Sequence, residues 1–226
     1  MGFVRLSRFV CFCAALCLSL GVSRADDFSF QGTFTQDDQR EIFTFTAPSA
    51  SVILRTYAYA GGTNAAGHTI LAGGFDPILS LFDSTGGLLS SSLLGPSNDN
   101  GGCADVGQDP STLNCFDAFM ALTTLLPSNQ YTLVLTQADN SANGPTYGDG
   151  FLEDGNPNFT AVFGCGGSTF CDQSPAQRTG AWAVDITGVG TAVDETAVPE
   201  PVSVLLLATG CTGLLLLKRR QKHQQL

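Results

Sequence analysis

The chain has 226 residues, 43% of them hydrophobic, with eight cysteines and a formal net charge of −10. All 20 acidic residues fall between Asp26 and Glu200, where only Arg40, Arg55 and Arg178 oppose them, so that stretch carries −17 and no lysine. Such a surface repels nucleic acid and anionic lipid, which are held through Lys and Arg contacts, while it suits solubility and divalent cations.

Residues 1–25 have the three parts of a secretory signal: Arg5 and Arg8, an apolar run over 9–20, and Ser23-Arg24-Ala25 as a small-residue cleavage site before Asp26. The run is shorter than the roughly 20 residues of a membrane span. Cys11, Cys13 and Cys17 belong to this leader; Cys17 after Ala-Ala-Leu would also fit a lipoprotein anchor. The working region then reads as strands. Phe28-Ser29-Phe30 and Phe43-Thr44-Phe45 alternate with the two-residue period of half-buried strands. Segments 52–59, 78–82, 119–125, 131–136, 159–163 and 182–186 continue the series, separated by turn signals such as Gly61-Gly62 and Pro127-Ser128-Asn129. Trp182, flanked by alanines, is expected in the core. Many short strands with Gly- and Asp-rich turns predict an all-β fold, a jelly-roll-like β-sandwich over 26–187, followed by a linker at 188–198.

Four cysteines remain in the exported region, and an even number there predicts a disulfide framework. Three pairings are possible. The sequence-local one, Cys103 with Cys115 and Cys165 with Cys171, closes two small loops rich in Gly, Asn and Asp. Zinc is the rival, but there is no paired C-x-x-C spacing and only His68 offers an imidazole.

The C-terminal end runs Val198-Pro199-Glu200-Pro201, an apolar segment 202–217, and Lys218-Arg219-Arg220-Gln221-Lys222. As a helix, 16 residues rise about 24 Å, a little short of a hydrocarbon core. The basic cluster predicts a cytoplasmic tail (221–226) with the preceding domain outside. This order of Pro199, Glu200, Pro201, short helix and Lys218-Arg219-Arg220 resembles the bacterial PEP-CTERM sorting signal. The resemblance, over 199–220, implies an exosortase-like partner, cleavage near the motif and at least transient membrane insertion. An ordinary tail anchor that stays in place is the alternative.

Phe75-Asp76-Pro77-Ile78-Leu79-Ser80-Leu81-Phe82-Asp83-Ser84-Thr85-Gly86-Gly87 resembles the core of bacterial pre-peptidase C-terminal (PPC-like) domains, with Gln130-Tyr131-Thr132-Leu133 standing in for their last strand. The likeness covers 75–136; it departs at Asn129-Gln130, in the longer polar loop and in the inserted cysteine pair. It implies a β-sandwich accessory domain, usually non-catalytic, on secreted and surface proteins.

Catalytic chemistry finds little support. A hydrolase nucleophile needs a base, and His68 in Gly67-His68-Thr69 reads as a solvated loop residue. No G-x-S-x-G elbow is present, and Glu153 and Asp154 lie in a Gly/Asn loop, so no enzyme and no required cofactor are expected. Calcium is the one cofactor considered. Asp76, Asp83, Asn98, Asp99, Asn100 and Asp117 offer hard oxygen ligands at strand ends and in the polar loop, as does the acidic run 149–156. The competing reading is that these residues start turns. A carbohydrate surface would use Arg55, Tyr57 and Tyr59, which alternation would place on one strand face. The function expected is a non-catalytic surface or exopolysaccharide-associated matrix protein, with a carbohydrate- or calcium-dependent binding module as the alternative and a secreted hydrolase as the third reading.

Overall fold

Phenylalanines two residues apart put Phe28 and Phe30 on one face of strand β1 (Asp26–Thr33), and Phe43 and Phe45 on one face of β2 (Glu41–Thr46). A computed structural model describes residues 26–48, 51–91, 102–167 and 169–196. The remaining strands are β3 (Val52–Thr56), β4 (Gly62–Thr63), β5 (Thr69–Ile70), β6 (Pro77–Phe82), β7 (Leu88–Ser91), β8 (Phe119–Leu122), β9 (Gln130–Gln137), β10 (Ala181–Val189) and β11 (Thr191–Asp194). A short helix, α1 (Cys103–Val106), and two 3-10 turns (Tyr147–Asp149 and Phe159–Phe163) lie in the connections.

The strands form one sheet in the order β1-β10-β3-β8, a second in the order β11-β2-β9-β6-β7, and a small β4-β5 hairpin. All strand pairings are antiparallel. The main core lies between the two large sheets: Leu54, Met120, Val184 and Ile186 from the first meet Phe43, Phe45, Leu79, Leu81, Leu133 and Leu135 from the second. Each such side chain contributes roughly 1.5–3 kcal/mol by leaving water. Trp182 joins this core against Phe34 and Phe43, as expected. It lies so close beneath Gly32 that a Cβ there would sit 2.4 Å from the indole.

β6 is buried at all six positions because both its faces are covered. Its inward Leu79 and Leu81 enter the main core, while Phe82 packs with Val134 of β9 and Phe151 of the long β9–β10 connection in a second cluster. The fold is also polarised along its strands. The connections 34–40, 57–76 and 138–180 emerge at one end, together with the β7–β8 connection where it returns to β8. Short turns at 83–87, 123–129 and Gly190 lie at the other, where β2 ends and β3 begins. Asp26 pairs with Val189 at the short-turn end, and the N–H of Glu195 reaches the carbonyl of Ile42 at the loop-rich end. A six-residue strand separates the two ends by ~20 Å.

Several expectations are corrected. Residues 159–163 are not a strand but a 3-10 turn, bracketed by left-handed Asn158 and Gly164 and tied by Thr160 to the Asp37 carboxylate. The strand expected over 52–59 stops at Thr56, where the chain bends around Asp117, and that over 119–125 stops at Leu122. The stretch 188–198, read as a linker, contains the end of β10 and all of β11, which pairs with β2. No helix among the described residues is long and apolar enough to cross a membrane. The signal segment 1–25, Asn98, Asp99, Asn100, the motif Pro199-Glu200-Pro201, the apolar segment 202–217 and Lys218, Arg219 and Arg220 lie outside the described residues.

Candidate functional site

Charged side chains buried inside a protein need partners, because an isolated buried charge is expensive. At the loop-rich end, one cation and five carboxylates meet that condition in a connected framework. Arg178, just before β10, donates through Nε to the carbonyl of Gly74 (2.9 Å) and through Nη2 to the carbonyl of Tyr59 (2.9 Å) and to Asp109 (2.6 Å). Its guanidinium lies 3.8 Å from the centre of the Tyr59 ring. Asp109 in turn accepts the Ser111 N–H and hydroxyl and the Thr112 N–H. Burial works to raise this carboxyl, but the Ser111 hydroxyl, Arg178 and the backbone donors outweigh it and hold it well below the usual carboxylate range.

The Tyr59 hydroxyl donates to Asp172 and bonds Thr112. Burial, followed by that bond to Asp172, raises its pKa. Asp117 accepts the Thr56 hydroxyl (2.8 Å) and the N–H groups of Tyr59 (3.1 Å) and Ala60 (2.7 Å). Its burial still pushes it above the ordinary carboxylate range. On the outer side of β10, Asp185 accepts the Tyr57 hydroxyl, the Ser29 hydroxyl and the N–H of Ala65, anchoring the β4-β5 region. Burial, then that bond, pushes Tyr57 up to about 12. Asp37 caps the far loop by accepting the N–H groups of Thr160 and Phe170.

The expected disulfide pairing is the one observed. Cys103 is bonded to Cys115 and Cys165 to Cys171, both in connections at this end. Two bridges in one domain mark an oxidising, extracellular or periplasmic setting. Sequence reasoning did not find Asp37, Asp109, Asp172, Asp185 or Arg178. The available signal was scarcity: a stretch with three arginines against 20 acids gives each cation ready partners. Arg40 is likewise paired with Asp154 at 3.2 Å and lies over Phe151, while Arg55 lies over Tyr57.

The structure does not lay out Arg55, Tyr57 and Tyr59 as an exposed strip. Tyr57 is 5% and Tyr59 0% exposed, both beyond the end of β3, and their hydroxyls are turned to Asp185 and Asp172. Among the calcium candidates, Asp83 closes the β6–β7 turn by accepting from Thr85 and Gly87, bonds that lower its pKa. Asp117 is engaged by Thr56, Tyr59 and Ala60, so the two carboxylates serve different segments. Asp76 stands immediately before β6, its carbonyl accepting from Ala138. Among the described residues, no group of three or more His, Cys, Asp and Glu side chains is placed to hold a metal ion. His68 is exposed, and its N–H caps onto Asn64.

A cleft of about 620 Å³ lies away from this framework, between β7 and β8, lined by Leu81, Leu89, Leu122, Leu125, Leu126 and Tyr131. A shallower polar notch lies beside Arg40, and one of mixed lining beside Leu71 and Trp182. Neither a scan against protein-family models nor a search of curated proteins finds a match to the chain.

Proposed function

We propose that the chain is a non-catalytic exported surface or extracellular-matrix protein, delivered through the PEP-CTERM-like signal at 199–220. Its folded part serves as a rigid β-sandwich module. The observation carrying this reading is that the buried ionisable groups at the loop-rich end are spent on structure. Arg178, Asp109, Asp117, Asp172 and Asp185 each hold a loop through hydrogen bonds, and two disulfides brace the same end. Catalytic acids and bases, by contrast, are directed at a reacting group in a cleft.

The strand order supports a jelly roll. Without β11, the sheets are β1-β10-β3-β8 and β2-β9-β6-β7, the eight-stranded pattern of two Greek keys, and β11 extends the second sheet beside β2. The described chain ends at Thr196, at the loop-rich end, so a C-terminal tether would draw that end towards the membrane and hold the short-turn end outward. A sandwich whose buried charges and disulfides brace its loop-rich end fits a spacer or matrix component.

Mass spectrometry of the mature chain from its native cell tests the reading. Loss of everything after about residue 201 is expected; an intact Leu226 overturns the sorting assignment. Saturable binding of the mature chain to one glycan on an array would move the assignment to a carbohydrate-binding module.

A further inference from the structure

We infer that the side of the sandwich carrying β8 is a self-association surface that joins two copies of this chain edge to edge. Among the described residues, β8 is the last strand of its sheet and β7 the last of the other, so two strand edges flank the leucine-lined cleft. Leu126 is 63% and Leu89 50% exposed, and on the outer face Ala121 of β8 is exposed beside its cross-strand partner Ile53. Edge strands are ordinarily guarded by charge or proline. Neither β7 nor β8 contains either.

The charge pattern selects the occupant. All 20 acids lie between Asp26 and Glu200, yet residues 119–138 hold no charged residue at all. Asp83 is the one carboxylate lining the cleft, and it is turned to Thr85 and Gly87. Elsewhere two copies of this acidic domain repel each other; here they do not. The one cation beside this edge is Arg55, cross-strand from Phe119 on the outer face, and it lies over the Tyr57 ring, while a cationic partner finds its counter-charges on other faces. An antiparallel edge strand is, moreover, complementary to itself about a two-fold axis, each N–H meeting a C=O of the same strand in the other copy. Pairing of two β8 strands would merge two four-stranded sheets into one of eight and cover the exposed apolar side chains beside them.

Sedimentation equilibrium of the chain from Asp26 to Leu226, its C-terminal segment retained, in detergent tests this, comparing wild type with Ala121→Glu, Leu126→Glu and, at the far edge of the other sheet, Val193→Glu. Val193 is 53% exposed on β11, so it is an equally tolerant control. A wild-type dimer is expected, with Kd raised at least ~10-fold by Ala121→Glu or Leu126→Glu, equivalent to about 1.4 kcal/mol, and unchanged by Val193→Glu. Matching far-UV circular dichroism establishes that the variants are folded. A wild type that stays monomeric at its highest soluble concentration overturns the inference. So does a dimer that resists both β8-side variants, which would place association in the C-terminal segment, or one that Val193→Glu weakens equally.

Discussion

Arg178 lies face-on over Tyr59, its guanidinium carbon 3.8 Å from the ring centre, and from there it reaches Asp109 at 2.6 Å. From that position one side chain ties the chain after β3, the approach to β6 and the loop closed by Cys103 and Cys115. Truncation in Arg178→Ala would leave Asp109 buried without its counter-charge, and breaking such a pair costs about 3–5 kcal/mol. Urea unfolding is expected to show a loss of that size. Arg178→Lys is expected to recover only part of it, because an ammonium cannot reproduce the planar fork that serves Gly74, Tyr59 and Asp109 together.

How much of this could be read in advance depended on whether the cause was local. Alternation marked Phe28 and Phe30, Phe43 and Phe45, and the continuous run of β6, because the faces of a strand follow from backbone geometry. The two disulfides were legible because each joins neighbours in the chain, with separations of 12 and 6 residues. Phe159-Thr160-Ala161-Val162-Phe163 alternates just as well, yet it forms a 3-10 turn because Asp37, over 120 residues away, captures Thr160. The same limit hid the candidate site. A turn aspartate that binds solvent and one that caps a buried loop have identical sequence context. Tyr57 and Tyr59 appeared to extend β3 outward until Asp117 bent the chain and Asp185 and Asp172 took their hydroxyls.

The two disulfides should differ in what they contribute. In the chain-entropy picture, closing a loop of about 12 residues is worth roughly 3 kcal/mol, and one of about 6 residues roughly 2 kcal/mol. Cys171 adds a local role, since it is 1% exposed and its N–H donates to Thr160 at 2.9 Å. Replacing Cys103 and Cys115 together by alanine is expected to lower stability by about 3 kcal/mol, measured by urea unfolding. Replacing Cys165 and Cys171 should additionally expose the 3-10 turn over Phe159–Phe163, seen as faster amide exchange there.

Glu41, at the start of β2, is pushed up to about 8, first by burial and then by its hydrogen bond with Asp194 near the end of β11. A carboxyl raised in the folded state binds its proton more tightly there than in the unfolded chain, where its value is near 4.5. Its stabilising contribution is therefore fully present below about pH 4.5, declines as pH rises, and is gone above about pH 8. Wild-type stability relative to Glu41→Gln should fall across that window and level off beyond it. Amide exchange in β11 should quicken over the same range, because the Glu41 proton in the hydrogen bond with Asp194 is then lost. A wild-type-minus-variant difference that stays flat with pH would show that Glu41 ionises normally.

Gly32 offers a test of core packing with a built-in reporter, because Trp182 is the chain's one tryptophan. A methyl at position 32 would stand 2.4 Å from one indole carbon and 2.8 Å from another, closer than any van der Waals contact. The ring has little room to retreat, since Phe34 and Phe43 pack against it with ring centres 5.9 and 6.0 Å away. Overpacking of this kind costs typically about 1–3 kcal/mol. Gly32→Ala is expected to lose that much stability in urea unfolding and to shift the tryptophan emission to the red as the indole is displaced from its 4% exposed position. Unchanged emission together with unchanged stability would mean that β1 moves away from β10 without cost, which the eight-residue register from Asp26 to Thr33 opposes.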